Sequence, residues 1–196
     1  MIRIYYCNSA SDAIPEEISD YRREKILSAS NLSQRQRMIN TARALKAGFA
    51  ELGINENDVI YGFQKNGKPY AQNFPEVYFS ISHTDNLSIV AFYDREIGID
   101  CENSQRDIST DILNRYFSKE EVTAFSDSAI TLWVTKEAFV KYTGKGFAAG
   151  RNEIKIPYFE DELKLDGLWF KKLSIDGHTV VICSDKSDEI VIKKAL

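Results

Sequence analysis

Asp100 and Glu102 stand two residues apart in the run Ile97-Gly98-Ile99-Asp100-Cys101-Glu102. A third carboxylate, Glu137, precedes Lys141 by one helical turn in Trp133-Val134-Thr135-Lys136-Glu137-Ala138-Phe139-Val140-Lys141. Side chains alternate along a strand, so Asp100 and Glu102 share a face and Cys101 takes the other. Two oxygen donors on a strand, with a carboxylate and an ammonium group on a helix, are the residue types that hold a hard cation against a phosphate. Plainer readings exist. Acids at a strand end can face water, and a Glu-to-Lys pair one turn apart is a common surface pair worth ~0.3–0.5 kcal/mol. The chemical reading gains from Ile97-Gly98-Ile99, an apolar run that delivers both acids to one place, and from Trp133, on the same stripe as Glu137 and Lys141.

Basic residues cluster in Tyr21-Arg22-Arg23-Glu24-Lys25 and Gln34-Arg35-Gln36-Arg37. Arg22 and Lys25 share a helix face, though a solvated face would carry the same pattern. Ser82 and His83 end a strand-like segment, and Gly67-Lys68-Pro69 follows a turn signal at Asn66-Gly67. None of these is specific by itself.

The elements that must position these residues follow from pattern. Ile2 to Cys7 reads as a strand, and Pro15 suits the first turn of a helix running to about Ala29. Ser33 with Gln36 forms a capping box for a second helix that Gly53 ends. Strands follow at Val59–Phe63, Tyr78–Ser82, Leu87–Tyr93 and Ile97–Glu102. Ser118 with Glu121 is a capping box, Asp127 or Ser128 caps a helix from Ala129 to Thr143, and Gly144 stops it. Further strands are expected near Ile154–Ile156, Leu168–Ser174, Thr179–Ser184 and Ile190–Ile192, with a hairpin turn at Asp176-Gly177. Helices followed by short strands with tight turns indicate an α+β fold. The expected organisation is two packed halves, 1–96 and 97–196, the second carrying the three carboxylates.

A chain of 196 residues with 43% hydrophobic and 28% charged residues can bury a core as one large domain or two small ones. A net charge of −4 argues against nonspecific nucleic-acid binding. Cys7, Cys101 and Cys183 lie far apart in apolar stretches without metal-ligand spacing, which predicts reduced, buried thiols. The N-terminal residues lack a signal-peptide apolar region, and no apolar run approaches the ~20 residues of a membrane helix. The expectation is a soluble cytoplasmic protein without a membrane or nucleic-acid partner.

Taken in order, the pieces resemble a family. A basic Arg-Glu-Lys helix, Gly-Lys-Pro, Ser-His, Gly-Ile-Asp-x-Glu, Phe-Ser-x-x-Glu (Phe117 to Glu121) and Trp-x-x-Lys-Glu-x-x-x-Lys with Gly144-Lys145-Gly146 are similar to 4′-phosphopantetheinyl transferases of the surfactin-synthetase-activating (Sfp) type. The likeness runs from about Arg22 to Phe147. His83 is followed by Thr84-Asp85-Asn86 where the family often has Ser-Gly, Cys101 takes a usually aliphatic position, and Arg22 stands where lysine is common.

The resemblance implies two α+β halves related by a pseudo-twofold axis, with coenzyme A in the cleft between them. Asp100, Glu102 and Glu137 would hold Mg²⁺ on the coenzyme A pyrophosphate, and Lys141 would pair with that pyrophosphate. Glu137 is also the candidate base for the acceptor serine; a ligated carboxylate is a weaker base, so the two roles compete. Arg22, Lys25 and His83, with Arg37 a further candidate, would bind the 3′-phosphate. Lys68 and Pro69 would border the adenine pocket, and Ser82 its phosphate side. The acceptor would be an acyl, polyketide or peptidyl carrier protein docking near Phe117 to Phe125, and the enzyme would be a monomer. A noncatalytic coenzyme A-binding module and a Mg²⁺-dependent phosphohydrolase are the competing readings.

Overall fold

The computed structural model describes residues 1–146, 150 and 152–196; Phe147, where the family-like stretch ends, lies outside the described residues. The chain divides into two compact units. The first comprises residues 1–64, 69–95 and 188–196, and the second residues 65–68 and 96–187. Both mix helices with sheet, as an α+β reading requires.

In the first unit β1 (Ile2–Cys7) lies between β10 (Ile190–Lys194), parallel to it, and β5 (Ser88–Tyr93), antiparallel; β4 (Tyr78–His83) adds to β5. The strand near Ile190–Ile192, last in sequence and expected with the 97–196 half, therefore completes the first unit's sheet. Two short strands, β2 (Tyr61–Phe63) and β3 (Pro69–Ala71), form a hairpin. Helix α2 (Leu32–Glu51) buries Ala44, Leu45 and Phe49 against Tyr5, Phe79, Val90 and Phe92. Helix α1 (Asp20–Leu27) packs Ile26 on Ile39 and Ala42 of α2.

Two helix starts differ from the sequence reading. Pro15 does not open α1. Glu17 takes a left-handed φ of 52°, and α1 begins after Ser19. Ser19 is fixed from elsewhere in the chain: buried Glu56 accepts its N–H at 2.6 Å and its hydroxyl at 3.0 Å. Likewise Ser33 and Gln36 do not cap α2. Asn31 is the N-cap, accepting the Gln34 N–H at 2.8 Å, and the Gln34 side chain reaches back to the Ser30 N–H at 2.8 Å. Gly53 does end that helix, at a φ of 74°.

In the second unit β6 (Ile97–Asn103), β9 (His178–Ser184), β8 (Leu168–Ile175) and β7 (Glu162–Leu165) form an antiparallel sheet in that order. Helix α5 (Ala129–Thr143) packs on β6 and β9, burying Leu132, Val134, Phe139 and Val140 with Phe170, Val181 and Cys183. Its C-cap is Gly144 in the left-handed region. The Ser118–Glu121 capping box opens α4 (Lys119–Ala124) as expected. Helix α3 (Thr110–Tyr116) was not foreseen: Ser109 caps it by accepting from the Ile112 N–H, with no Glu or Gln at that third position to mark the box. Ile154–Ile156 is not a strand. Its backbone is taken up by side chains, the Ile154 carbonyl accepting from Lys136 and the Ile156 N–H donating to Glu121.

Asp176-Gly177 closes the β8–β9 hairpin with φ of 46° and 73°, the mirror-image turn that matches strand twist. Asp166-Gly167 does the same between Leu165 and Leu168, which brings in β7, absent from the strands expected from sequence. The three cysteines are free and buried. Among the described residues no helix is long and apolar enough to cross a membrane.

Candidate active site

The acidic constellation is set by the approach of α5 to β6. At Gly98 an added Cβ would fall 2.0 Å from the Ala138 carbonyl oxygen and 2.5 Å from the Tyr142 nitrogen. Only a residue without a side chain lets the helix backbone lie this close. The approach brings the turn holding Glu137 and Lys141 over the strand. Lys141 Nζ donates to Asp100 Oδ1 at 2.7 Å, with the Asp100 side chain only 9% exposed. Burial first, and then the Asp100 charge, raise the Glu137 carboxyl from its ordinary 4.5 to about 7, against the pull of Lys141. Asp100, Glu137 and Lys141 thus share one electrostatic environment.

Glu102 follows Asp100 on the same strand, but its carboxylate is turned to other partners. Oε1 accepts the Asn103 N–H at 2.8 Å, and Oε2 pairs with Arg106. Among the described residues no three His, Cys, Asp or Glu side chains are grouped closely enough to hold a metal ion. The pair that does share a field, Asp100 with Glu137, is nevertheless the donor set Mg²⁺ uses. That ion binds through one or two carboxylates plus substrate phosphates and keeps several waters. A second carboxylate half-protonated near neutrality marks a place where further positive charge would be stabilised.

The basic residues of the first unit form a pocket of about 320 Å³ lined by Arg22, Lys25, Gln34, Arg37, Thr41 and His83, with Tyr21, Ile26, Met38 and Ile81 as its apolar walls. Arg22 lies over the Tyr61 ring at 4.4 Å, and its buried Nε has no hydrogen-bond partner among the described residues. Arg37 pairs with Asp85 at 2.6 Å from the rim. Three cations and a histidine, with Asp85 at the rim, are residue types suited to an anion.

Three predicted residues lie apart from these two groups. Ser82 is buried, and strand alternation sets it on the face opposite Ile81 and His83, so it does not line the pocket. Lys68 belongs to the second unit, where it pairs with Glu96 and donates to the Ile97 carbonyl at 2.9 Å. Burial lowers its ammonium pKa against the opposing effect of Glu96. Pro69 opens β3, opposite Phe63.

The family model for the 4′-phosphopantetheinyl transferase superfamily matches residues 96–166, the stretch that carries all three carboxylates and Lys141. The chain is 32% identical over 151 residues to the 4′-phosphopantetheinyl transferase Sfp of Bacillus subtilis (strain 168), covering 69% of this chain and 67% of that protein. The 4′-phosphopantetheinyl transferase ffp of Bacillus subtilis is 33% identical over the same shares of both chains, and the psf-1 enzyme of Bacillus pumilus is 32% identical over 53% of this chain and 47% of its own. The chain belongs to the Sfp-type 4′-phosphopantetheinyl transferases. It is thereby a transferase, which sets aside the noncatalytic binding module.

Sequence reasoning missed residues that support these two candidate groups. Glu56 anchors the start of the helix that carries Arg22 and Lys25, and it also accepts from Tyr61 Oη at 2.6 Å. Its setting, Asn55-Glu56-Asn57-Asp58, carries only the signature of a solvated loop. Glu121 does more than cap α4. It pairs with buried Lys136 at 2.6 Å and accepts the Ile156 N–H at 2.8 Å, tying α4, α5 and the 154–156 segment together next to Glu137. The one visible signal was Lys136 itself, placed inside an otherwise buried helix face.

Proposed function

We propose that this enzyme transfers 4′-phosphopantetheine from coenzyme A to a serine of an acyl, polyketide or peptidyl carrier protein, with Mg²⁺, releasing 3′,5′-ADP. The observation that carries the proposal is the Asp100–Glu137–Lys141 group, two coupled carboxylates and an ammonium where the family motif places its pyrophosphate site.

In this reading the serine hydroxyl attacks the phosphorus that bears pantetheine, the phosphoanhydride bond breaks, and 3′,5′-ADP leaves. Asp100 and Glu137, with Glu102 once it turns from Arg106, would hold Mg²⁺. Bound there, the ion would neutralise charge on the pyrophosphate as the leaving group departs. Lys141 would move from Asp100 to the pyrophosphate, a short rotation for a flexible stem. A Glu137 carboxyl near 7 can take the serine proton at neutral pH, which favours the base role; metal ligation would lower that pKa and favour the ligand role. Arg22, Lys25 and His83, with Arg37, would bind the 3′-phosphate in the first unit's pocket. Lys68 and Pro69 would border the adenine, and the two units would stand for the family's two pseudo-twofold halves. We also propose that the enzyme acts as a monomer, docking its carrier near Phe117 to Phe125.

The test is the intact mass of apo carrier proteins incubated with enzyme, coenzyme A and Mg²⁺, with an EDTA control. A metal-dependent gain of one phosphopantetheine, about 340 Da from its covalent formula, is expected. Coenzyme A cleaved without a mass gain on any carrier would instead favour the phosphohydrolase.

A further inference from the structure

Each strand acid is paired with a cation: Asp100 with Lys141 and Glu102 with Arg106. Lys141 belongs to the family motif. Arg106 does not; it lies in the turn after β6, and that turn is built. The Asn103 side chain accepts the Gln105 N–H at 2.9 Å, and the Arg106 N–H donates to the Asn103 carbonyl at 3.0 Å. The Ser104 N–H donates to the Gly177 carbonyl at 3.0 Å, and the Ser104 hydroxyl bonds Thr179 at 3.0 Å. The turn therefore folds Arg106 back over the strand, where its guanidinium meets a Glu102 carboxylate that is itself only 14% exposed.

We propose that Arg106 is a resident counter-ion of the metal site: it holds the carboxylate of Glu102 until a divalent cation displaces it, and so sets the affinity of the metal-free enzyme for that cation. The inference rests on the reading of Glu102 as a metal ligand. The chemistry is simple competition. Of the two Glu102 oxygens, Oε1 accepts the Asn103 N–H and Oε2 pairs with Arg106, so a cation that binds through Oε2 must compete with the guanidinium. A divalent ion carries twice the charge and bonds oxygen more closely, so it can win. It must first break a charge-assisted hydrogen bond and leave a guanidinium beside it. Arg106 is 52% exposed, so the displaced side chain has water to enter. With Lys141 also leaving Asp100, exchange of the two monovalent cations for one divalent ion conserves charge at the strand.

The experiment is titration of the substrate-free enzyme with MnCl₂, followed by the free-ion magnetic resonance signal, and with MgCl₂ by calorimetry. Arg106→Gln should tighten binding about threefold to tenfold, the scale of one screened like-charge repulsion between a guanidinium and a divalent ion. Arg106→Lys, which keeps the charge, should stay near wild type. Glu102→Gln should weaken binding and erase the effect of Arg106→Gln in the double variant. If Glu102→Gln weakens binding while Arg106→Gln leaves it unchanged, the counter-ion role is overturned and the reading of Glu102 stands. If Glu102→Gln has no effect, both are overturned.

Discussion

Gly98 lies against Ala138: a Cβ there would sit 2.0 Å from that residue's carbonyl oxygen. The contact is backbone on both sides, so nothing can rotate away. Substitution must lift α5 from β6, and with it Glu137 and Lys141 from Asp100. We expect Gly98→Ala to lower stability by about 1–3 kcal/mol, the usual cost of overpacking. Transfer should fall far more than stability does, by at least a hundredfold if a displacement of ~1 Å misplaces the reacting groups. Thermal melts and turnover at a temperature where the variant remains folded check this. A stable variant with near-normal turnover would show that the close approach is not what places the site.

The Glu137 carboxyl gives a pH dependence with a defined sign. Its folded value, about 7, lies above its ordinary 4.5, so folding favours the protonated form. The stability it contributes is fully present below 4.5 and is lost as pH rises through 7. In EDTA the wild type should lose on the order of 2–3 kcal/mol between pH 4.5 and 8 from this group. Glu137→Gln, neutral at every pH, should lack that limb while abolishing transfer. Denaturant unfolding at pH 5 and pH 8 for both proteins is the measurement. Parallel pH profiles would remove Glu137 as their cause.

Much of this site was legible before any fold was known, because motif order and alternation act locally. Asp100 and Glu102 share a strand face, Glu137 and Lys141 share a helix stripe, and the Ser118–Glu121 box announces its helix. What the sequence did not disclose was partner choice across the chain. Glu56 looks like a loop acid yet fixes Ser19, and so the Arg22 helix starts well after Pro15. Ile154–Ile156 has strand composition, but its backbone serves Lys136 and Glu121. The β10 strand is last in sequence and belongs beside β1. Each of these depends on a contact between residues far apart along the chain, which no local pattern encodes.

The Glu121–Lys136 pair is buried on both sides, 6% and 2% exposed. Burial and pairing oppose each other here: burial lowers the Lys136 pKa, and Glu121 raises it. Removing one partner leaves the other charge without compensation in the core. Lys136→Met should therefore cost about 3–5 kcal/mol. Glu121→Gln with Lys136→Met should recover part of that loss, since the neutral amide removes the uncompensated charge and its single oxygen can still accept from one of the Ser118 and Ile156 N–H groups. Denaturant unfolding of the two single variants and the double gives the coupling directly. Additive losses would mean the two charges do not depend on each other.

The first unit's pocket makes a prediction about which phosphate it reads. Arg22 and Lys25 stand in a site about 320 Å³ in volume, and Arg22 Nε is buried without a hydrogen-bond partner among the described residues. A group so placed is desolvated already and gains most when an anion arrives. If that anion is the 3′-phosphate, Arg22→Ala should raise KM for coenzyme A by roughly tenfold to a hundredfold, the scale of a lost charge-assisted bond, with a smaller change in kcat. The same variant should treat dephospho-coenzyme A, which lacks that phosphate, much as the wild type does. The comparison cancels any general loss of folding, because both substrates meet the same protein. An equal rise in KM for both would place the 3′-phosphate elsewhere and assign Arg22 a part in holding the pocket's aromatic wall, where its guanidinium lies over Tyr61.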